Sequence, residues 1–184
     1  FLHRKKLKKK QLKTELYWSF ISGVIFSAFA LLVHFMITEE HSAIYTSFSV
    51  HSVWYFPLSI FLFLFIQDTY YYWIHRWMHH PKVYKYVHLI HHKSVHTSAF
   101  TAFSFHPFET LLQALFFPVV ISILPMHLYA FLSTLAIMTV SATINHAGVE
   151  IYPKNAFGNW LQKTIIGATH HDAHHTKFNY NYGL

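Results

Sequence analysis

Four apolar stretches constrain this chain of 184 residues more than any other feature of it. They cover residues 16–37, 53–73, 108–124 and 127–144. A helix needs about 20 apolar residues to cross the hydrocarbon core of a bilayer, so the first two stretches fit full spans. The last two are shorter and predict a tight hairpin that turns at Pro125. We therefore expect an all-α integral membrane protein with about four transmembrane helices.

The distribution of charge predicts how this bundle is oriented. Charged residues make up only 11% of the chain, against about 25% in soluble proteins. Seven of the 14 Lys and Arg residues lie in the first 13 positions, so residues 1–15 are predicted to be a basic juxtamembrane segment that meets anionic lipid headgroups. With the N-terminus in the cytoplasm, four spans place all 14 on the cytoplasmic side, as the positive-inside rule requires. This pattern argues against a nucleic-acid partner and predicts one membrane-embedded domain, residues 1–184.

Histidine is unusually frequent, with 18 residues, and cysteine is absent, so a transition-metal site must use nitrogen or oxygen ligands. Three histidine boxes have spacings of i, i+3 or i+4, which place side chains on one face of a helix. The boxes are His75 with His79; His88 with His91 and His92; and His171 with His174 and His175. Eight imidazoles exceed the three or four protein ligands of a zinc ion and suit two metal ions.

Other residues near the boxes are candidates for the same centre. His146, after the fourth apolar stretch, is predicted to be a ninth ligand, so that metal boxes 75–92 and 146–175 form a cytosolic histidine-rich cap. Asp68 could accept a hydrogen bond from a ligating imidazole, and Glu150 could bind metal, orient a ligand or be solvated. Weaker candidates are His80, His96, His106 and His170, whereas His3, His34, His41, His51 and His127 are expected to be structural or exposed.

At these boxes the sequence resembles the fatty acid hydroxylase / sterol desaturase superfamily of membrane di-iron enzymes. Residues 68–73, 103–107, 145–148 and 178–183 add to the resemblance, which covers about residues 53–184. It implies four membrane helices with a cytosolic metal-bearing cap, two iron ions that zinc can replace in a purified protein, and O2 as co-substrate. It also implies electrons from cytochrome b5, ferredoxin or a reductase. No catalytic side chain is expected beyond the metal ligands.

The predicted function is the O2-dependent oxidation of a lipid C–H bond in a sterol, a fatty acyl group or a related lipid that enters from the bilayer. Hydroxylation is preferred to desaturation because it needs one hydrogen abstraction. The metal site is expected on the cytoplasmic side of the endoplasmic reticulum in a eukaryote, or of the inner membrane in a bacterium. The alternative is a membrane metal-binding protein or zinc hydrolase without oxygenase activity. A hydrolase of this kind typically carries H-E-x-x-H, which the chain lacks.

Overall fold

A computed structural model describes residue 2, residues 7–178 and residues 180–183. The predictions of one domain over residues 1–184 and of a basic segment over residues 1–15 include residues outside the described part. The described part is predominantly helical. Its elements are α1 (Lys9–Thr38), β1 (Ile44–Tyr45), α2 (Tyr55–Met78), α3 (Pro81–Val87), α4 (Leu89–His92), a 3-10 helix (Ala99–Phe103), α5 (Pro107–Ile123), β2 (Met126–His127), α6 (Leu128–His146), α7 (Ala156–Thr164) and α8 (Ala168–Lys177).

Helices α1 and α2 both extend beyond their apolar stretches. The 30 residues of α1 correspond to about 45 Å, which exceeds the hydrocarbon thickness of about 30 Å. Its first turns therefore continue through part of the predicted juxtamembrane segment, whose residues 9–15 are helical. Helix α2 continues to Met78 and so carries His75 on its last turn, where the apolar stretch has already ended. The first histidine box is thus placed at one end of a long apolar helix.

Within the described residues, α1 and α6 are long and apolar enough to cross a membrane. Their mean hydropathies are 2.3 and 1.5, and α5 is a shorter apolar helix of 17 residues. The most apolar window of α1 is only 11% buried within the protein, and Phe20 and Leu31 are exposed. An apolar helix that stays uncovered needs a non-aqueous neighbour. These helices indicate a membrane protein.

A small parallel strand pair holds together the end of the protein opposite the histidine boxes. Ile44 pairs with Met126 and Tyr45 with His127, which joins the segment after α1 to the turn between α5 and α6. The hydroxyl of Tyr55 donates to the carbonyl of Pro125 at 2.8 Å and brings the start of α2 to the same place. The turn predicted at Pro125 is confirmed, and the connection after α1 lies beside it.

The apolar core lies between α1, α2, α5 and α6, nearer to the strand pair than to the boxes. Phe63 of α2 is fully buried and packs edge-on against Phe116 of α5 and Phe131 of α6. Polar contacts also join the helices: the hydroxyls of Ser22 and Thr110 lie 3.0 Å apart between α1 and α5. This packing fixes the ends of α2 and α6, from which the histidines project.

Candidate metal centre

All nine histidines predicted as ligands come together in two compact groups. In each group the ligand nitrogens lie within 4.8 Å of one another. We call them group I, which contains His75, His79, His88, His92 and His174, and group II, which contains His91, His146, His171 and His175. Eight of the nine side chains are at most 2% exposed, and His79 is partly exposed. Residues from four segments of the chain therefore share one buried site.

The local structure divides two of the boxes between the groups. Neighbouring residues on a helix point about 100° apart, so His174 and His175 of α8 face different ways, and their rings stand 89° to each other. His91 and His92 of the short helix α4 show the same 89° divergence. The prediction that the second box shares one helical face was incomplete, because His88 is not helical and forms the break between α3 and α4.

The hydrogen bonds of the Nδ1 atoms determine what the Nε2 atoms present. A carbonyl oxygen only accepts, so Nδ1 of His75 donates to the carbonyl of Tyr182 at 2.8 Å. Nδ1 of His174 likewise donates to the carbonyl of Tyr180, and Nδ1 of His146 donates to that of Ala142. A neutral imidazole has one N–H, so the Nε2 atoms of these rings carry lone pairs. Lone pairs that face one another repel unless a cation lies between them.

The spacing of the Nε2 atoms fits a bound metal ion. Two nitrogens bound to one ion at about 2.1 Å and at right angles lie about 3.0 Å apart. Nε2 of His75 lies 3.0 Å from Nε2 of His88, and the Nε2 atoms of His79, His92 and His174 are each 3.1 Å from one another. In group II the corresponding distances are 2.7, 3.1 and 3.4 Å. Five and four neutral nitrogen donors suit an iron or zinc ion in each group.

Burial keeps the imidazoles of the cap in the neutral form that metal binding requires. Burial, together with the neighbouring His174, lowers the pKa of His79 to about 3. Burial also lowers the pKa of His174 to about 4, against an opposing effect of its hydrogen bond to Tyr180. The pKa values of His88 and His91 are lowered well below the usual value by burial and by nearby imidazoles. These side chains are therefore uncharged at neutral pH.

Two supporting features of group I were not predicted from the sequence. Glu109, fully buried in the first turn of α5, lies with Oε1 2.8 Å from Nδ1 of His88. A carboxylate that accepts from a ligating histidine fixes the orientation of the ring and makes it more basic. The sequence suggests Asp68 for this role, but Asp68 has no hydrogen bond to an imidazole among the described residues. An acidic residue at the start of an apolar helix was the available signal. The second feature is the pair of backbone carbonyls, of Tyr180 and Tyr182, that accept from His174 and His75. Nothing in the sequence indicates this role for the segment after α8.

Most of the weaker candidates have structural roles in the described part of the chain. His80 and His106 accept backbone N–H groups at the starts of α3 and α5, and His170 does so at the start of α8. His127 caps α6 in the same way and is buried, so the expectation of a structural histidine there is confirmed. His96 lies in neither group.

Glu150 supports α8 and is in neither histidine group. Its carboxylate accepts the backbone N–H of Thr169, in the first turn of α8, and those of Ile151 and Tyr152. Burial tends to raise the pKa of Glu150, but these hydrogen bonds outweigh it and lower the pKa. A negative charge at a helix N-terminus is stabilising. The three roles expected for Glu150 are binding metal, orienting a ligand and being solvated. The structure favours the second in an indirect form, because Glu150 holds the helix that carries the third box.

A cavity of about 350 Å³ reaches group II from between the apolar helices. It lies among α2, α5, α6 and the 3-10 helix, and His146 lines its inner end. A second cavity of about 330 Å³ lies between α1 and α6 and shares Phe26, Phe117 and Leu135 with the first. Because they share these residues the two cavities adjoin, and together they form a largely apolar groove from the histidines toward the strand pair. Apolar clefts of this size with a few polar groups are typical of ligand sites.

Fold and site together define a class: a helical membrane protein whose buried all-histidine groups have the geometry of two adjoining metal sites. The fatty acid hydroxylase family model matches residues 60–184. The chain belongs to the fatty acid hydroxylase family, and the resemblance noted from the histidine boxes is confirmed.

The relatives of the chain are sterol-modifying proteins by name. It is 33% identical over 183 residues to a Delta(7)-sterol 5(6)-desaturase of Gibberella zeae, covering 98% of this chain and 54% of that protein. It is 37% identical over 126 residues to lathosterol oxidase of Homo sapiens, covering 68% of this chain and 40% of that one. The chain thus spans about half the length of these relatives or less. No solved structure matches it significantly.

Proposed function

We propose that the protein oxidises a C–H bond of a lipid, with O2 as co-substrate, at a pair of iron ions held by groups I and II. The observation that carries the proposal is the convergence of nine imidazoles, eight of them buried, on two points. Iron would supply the activation of O2 and the removal of hydrogen from an unactivated carbon. The chain itself would hold the ions, exclude water and aim one carbon of the lipid at them. The ligands would be His75, His79, His88, His92 and His174 for one ion, and His91, His146, His171 and His175 for the other.

The relatives support a sterol as the substrate. Their names describe a sterol 5(6)-desaturase and a lathosterol oxidase, so desaturation is the better-supported outcome for this chain. This reverses the preference for hydroxylation that the count of hydrogen abstractions suggested. Desaturation removes two hydrogen atoms from adjacent carbons, and O2 with two electrons from an external donor and two protons balances the reaction by forming two waters. Cytochrome b5, ferredoxin or a reductase are the classes of donor we propose.

The alternative functions have less support. A zinc hydrolase needs a carboxylate beside the metal that is free to act as a base, but Glu109 is bound to His88 and Glu150 caps α8. Asp68 lies about 10 Å before His75 along α2. A metal transporter needs a polar path through the spans. The cavity that reaches His146 is mainly apolar, which suits a lipid better than a hydrated ion.

The proposed topology is the four-span arrangement, with α1, α2, α5 and α6 in the bilayer as one domain. Helices α1 and α6 are apolar enough to cross alone, and α2 and α5 pack against them. The histidine groups and the remaining helices would form the cap on the cytoplasmic side, in the endoplasmic reticulum of a eukaryote or the inner membrane of a bacterium.

The direct test is a comparison of the lipids of host cells that express the full-length protein with those of cells that express a His91→Ala variant. We expect a sterol that has lost two hydrogens, detected by mass spectrometry only with the unmodified protein. A product that gains one oxygen would show hydroxylation instead. Identical lipid profiles, in cells where iron loading of the unmodified protein has been verified, would contradict the proposed activity.

Glu109→Gln is expected to weaken metal binding in group I about tenfold, because His88 loses a charged acceptor while the volume of the side chain is kept. Competition with a chromophoric chelator, at one ion per site, measures the change. Asp68→Asn is the matched control and should leave the metal affinity unaltered. An effect of Asp68→Asn as large as that of Glu109→Gln would return the supporting role to Asp68.

A further inference from the structure

We propose that the groove binds its lipid with the hydroxyl end inward, so that oxidation occurs within a few carbons of that hydroxyl. This inference rests on the proposed function and adds the orientation of the substrate and the residues that set it. The hydroxyl would contact the polar cluster, which we define as Gln67, Asp68 and Gln113. The apolar body of the lipid would extend between α1 and α6.

The polar cluster lies close to the histidines along the helix axes. Gln113 follows Glu109 by one turn of α5, or about 6 Å, and Asp68 precedes His75 by seven residues of α2, or about 10 Å. Gln67 and Gln113 both line the cavity that His146 lines, and both line a smaller cavity of about 70 Å³ beside it. The polar groups of the groove are thus concentrated at its inner end.

Gln113 carries an N–H group without a partner in the described part of the protein. Its Nε2 atom is buried and has no hydrogen-bond acceptor there. A buried donor left unpaired is costly, so a ligand oxygen at this point would be stabilising. A hydroxyl can accept from the amide N–H of Gln113 and donate to the amide oxygen of Gln67, which lines the same two cavities, and so use both of its hydrogen-bonding capacities.

The other end of the groove is apolar. From His146 to Leu128 the groove follows α6 for 18 residues, or about 27 Å. Its far half is lined by apolar side chains apart from His34, which is exposed. The exposed imidazole of His34 can hydrogen-bond outside the groove, so it offers a lipid hydroxyl less than the buried Nε2 of Gln113 does. A rigid lipid with one hydroxyl, such as a sterol, matches this gradient with its hydroxyl inward.

The positions of the polar cluster and of the histidines then define which end of the lipid is oxidised. If the hydroxyl lies at the polar cluster and the body leads away toward Leu128, the atoms nearest to the histidines are those next to the hydroxyl-bearing carbon. The tail lies more than two helical turns farther away, beyond Phe117 and Leu135. The groove therefore selects the hydroxyl-bearing end of the lipid for oxidation.

The test measures binding without turnover. The full-length protein is loaded with zinc, reconstituted in lipid nanodiscs, and titrated with radiolabelled cholesterol or with its 3-methyl ether, which cannot donate a hydrogen bond. We expect the unmodified protein to prefer the free alcohol about tenfold, the effect of one or two hydrogen bonds. The variant Gln67→Leu/Gln113→Leu should lose this preference and still bind the ether. The matched control His34→Leu should retain it.

Equal binding of the alcohol and the ether by the unmodified protein would overturn the proposal, as would a preference that is lost in His34→Leu. Photo-crosslinking gives an independent readout: a diazirine in the ring system of the sterol should label α2 and α5, and one in its side chain should label α1 and α6 near Leu128. The opposite labelling would also overturn it. Metal content is measured on the same samples before zinc loading, so failure of the two-metal proposal is distinguished from failure of the binding orientation.

Discussion

Replacement of His175 by alanine is expected to lower the iron content of the protein from two ions per chain to at most one and to abolish lipid oxidation. His175 is fully buried in group II, and its Nε2 lies 3.1 Å from that of His171. The change removes one of four nitrogen donors and leaves a cavity that no other described donor fills. His91→Ala should have the same effect, since His91 belongs to the same group. Metal analysis of anaerobically purified protein and product analysis measure both outcomes.

A histidine outside the groups serves as the control for this prediction. His41 is exposed and belongs to neither group, so His41→Ala should keep two ions per chain and full activity. Two ions per chain in both His175→Ala and His91→Ala would refute the assignment of group II. One ion per chain in the unmodified protein would refute the two-metal centre itself.

Glu15→Ala is expected to destabilise the protein by about 2–4 kcal/mol, the largest loss we predict away from the histidines. Glu15 lies in the second turn of α1 and is 1% exposed. Its carboxylate accepts hydrogen bonds from the hydroxyls of Ser94, Ser98 and Thr101, and from the amide of Gln11. Alanine would leave the three buried hydroxyls without this acceptor and would release the loop that follows His91 and His92.

Unfolding of the purified protein in detergent, followed by circular dichroism during titration with a denaturing detergent, measures this loss. Glu39→Ala is the matched control, because Glu39 lies at the exposed C-terminal end of the same helix. It should change stability by less than about 0.5 kcal/mol. Equal stabilities of Glu15→Ala and Glu39→Ala would show that the carboxylate of Glu15 does not hold the loop.

The sequence predicted which histidines meet, because spacing on a helix is a local property. The pairs His75/His79 and His171/His175 each lie on one helical face and each contribute to one group. The apolar stretches predicted the four long helices to within a few residues, apart from the early start of α1 and the later end of α2.

The division of the boxes into two groups could not be predicted, since it depends on where α4 and α8 lie in the folded protein. The roles of Glu15 and Glu109 were hidden for a related reason. Each is a single acidic residue. The hydroxyls that donate to Glu15 lie at least 79 residues away in the chain, and His88 lies 21 residues from Glu109. Long-range pairing of this kind leaves no periodic pattern in the sequence.

The interleaving of the two groups has a consequence for how metal is acquired. Helix α8 provides His174 to group I and His171 and His175 to group II, and α4 contributes to both groups as well. An ion captured by either group would immobilise both helices and so reduce the entropy that the other group must lose on binding. Uptake should therefore be positively cooperative, and by thermodynamic reciprocity each ion would tighten the binding of the other. Half-loaded molecules would then be scarce at equilibrium.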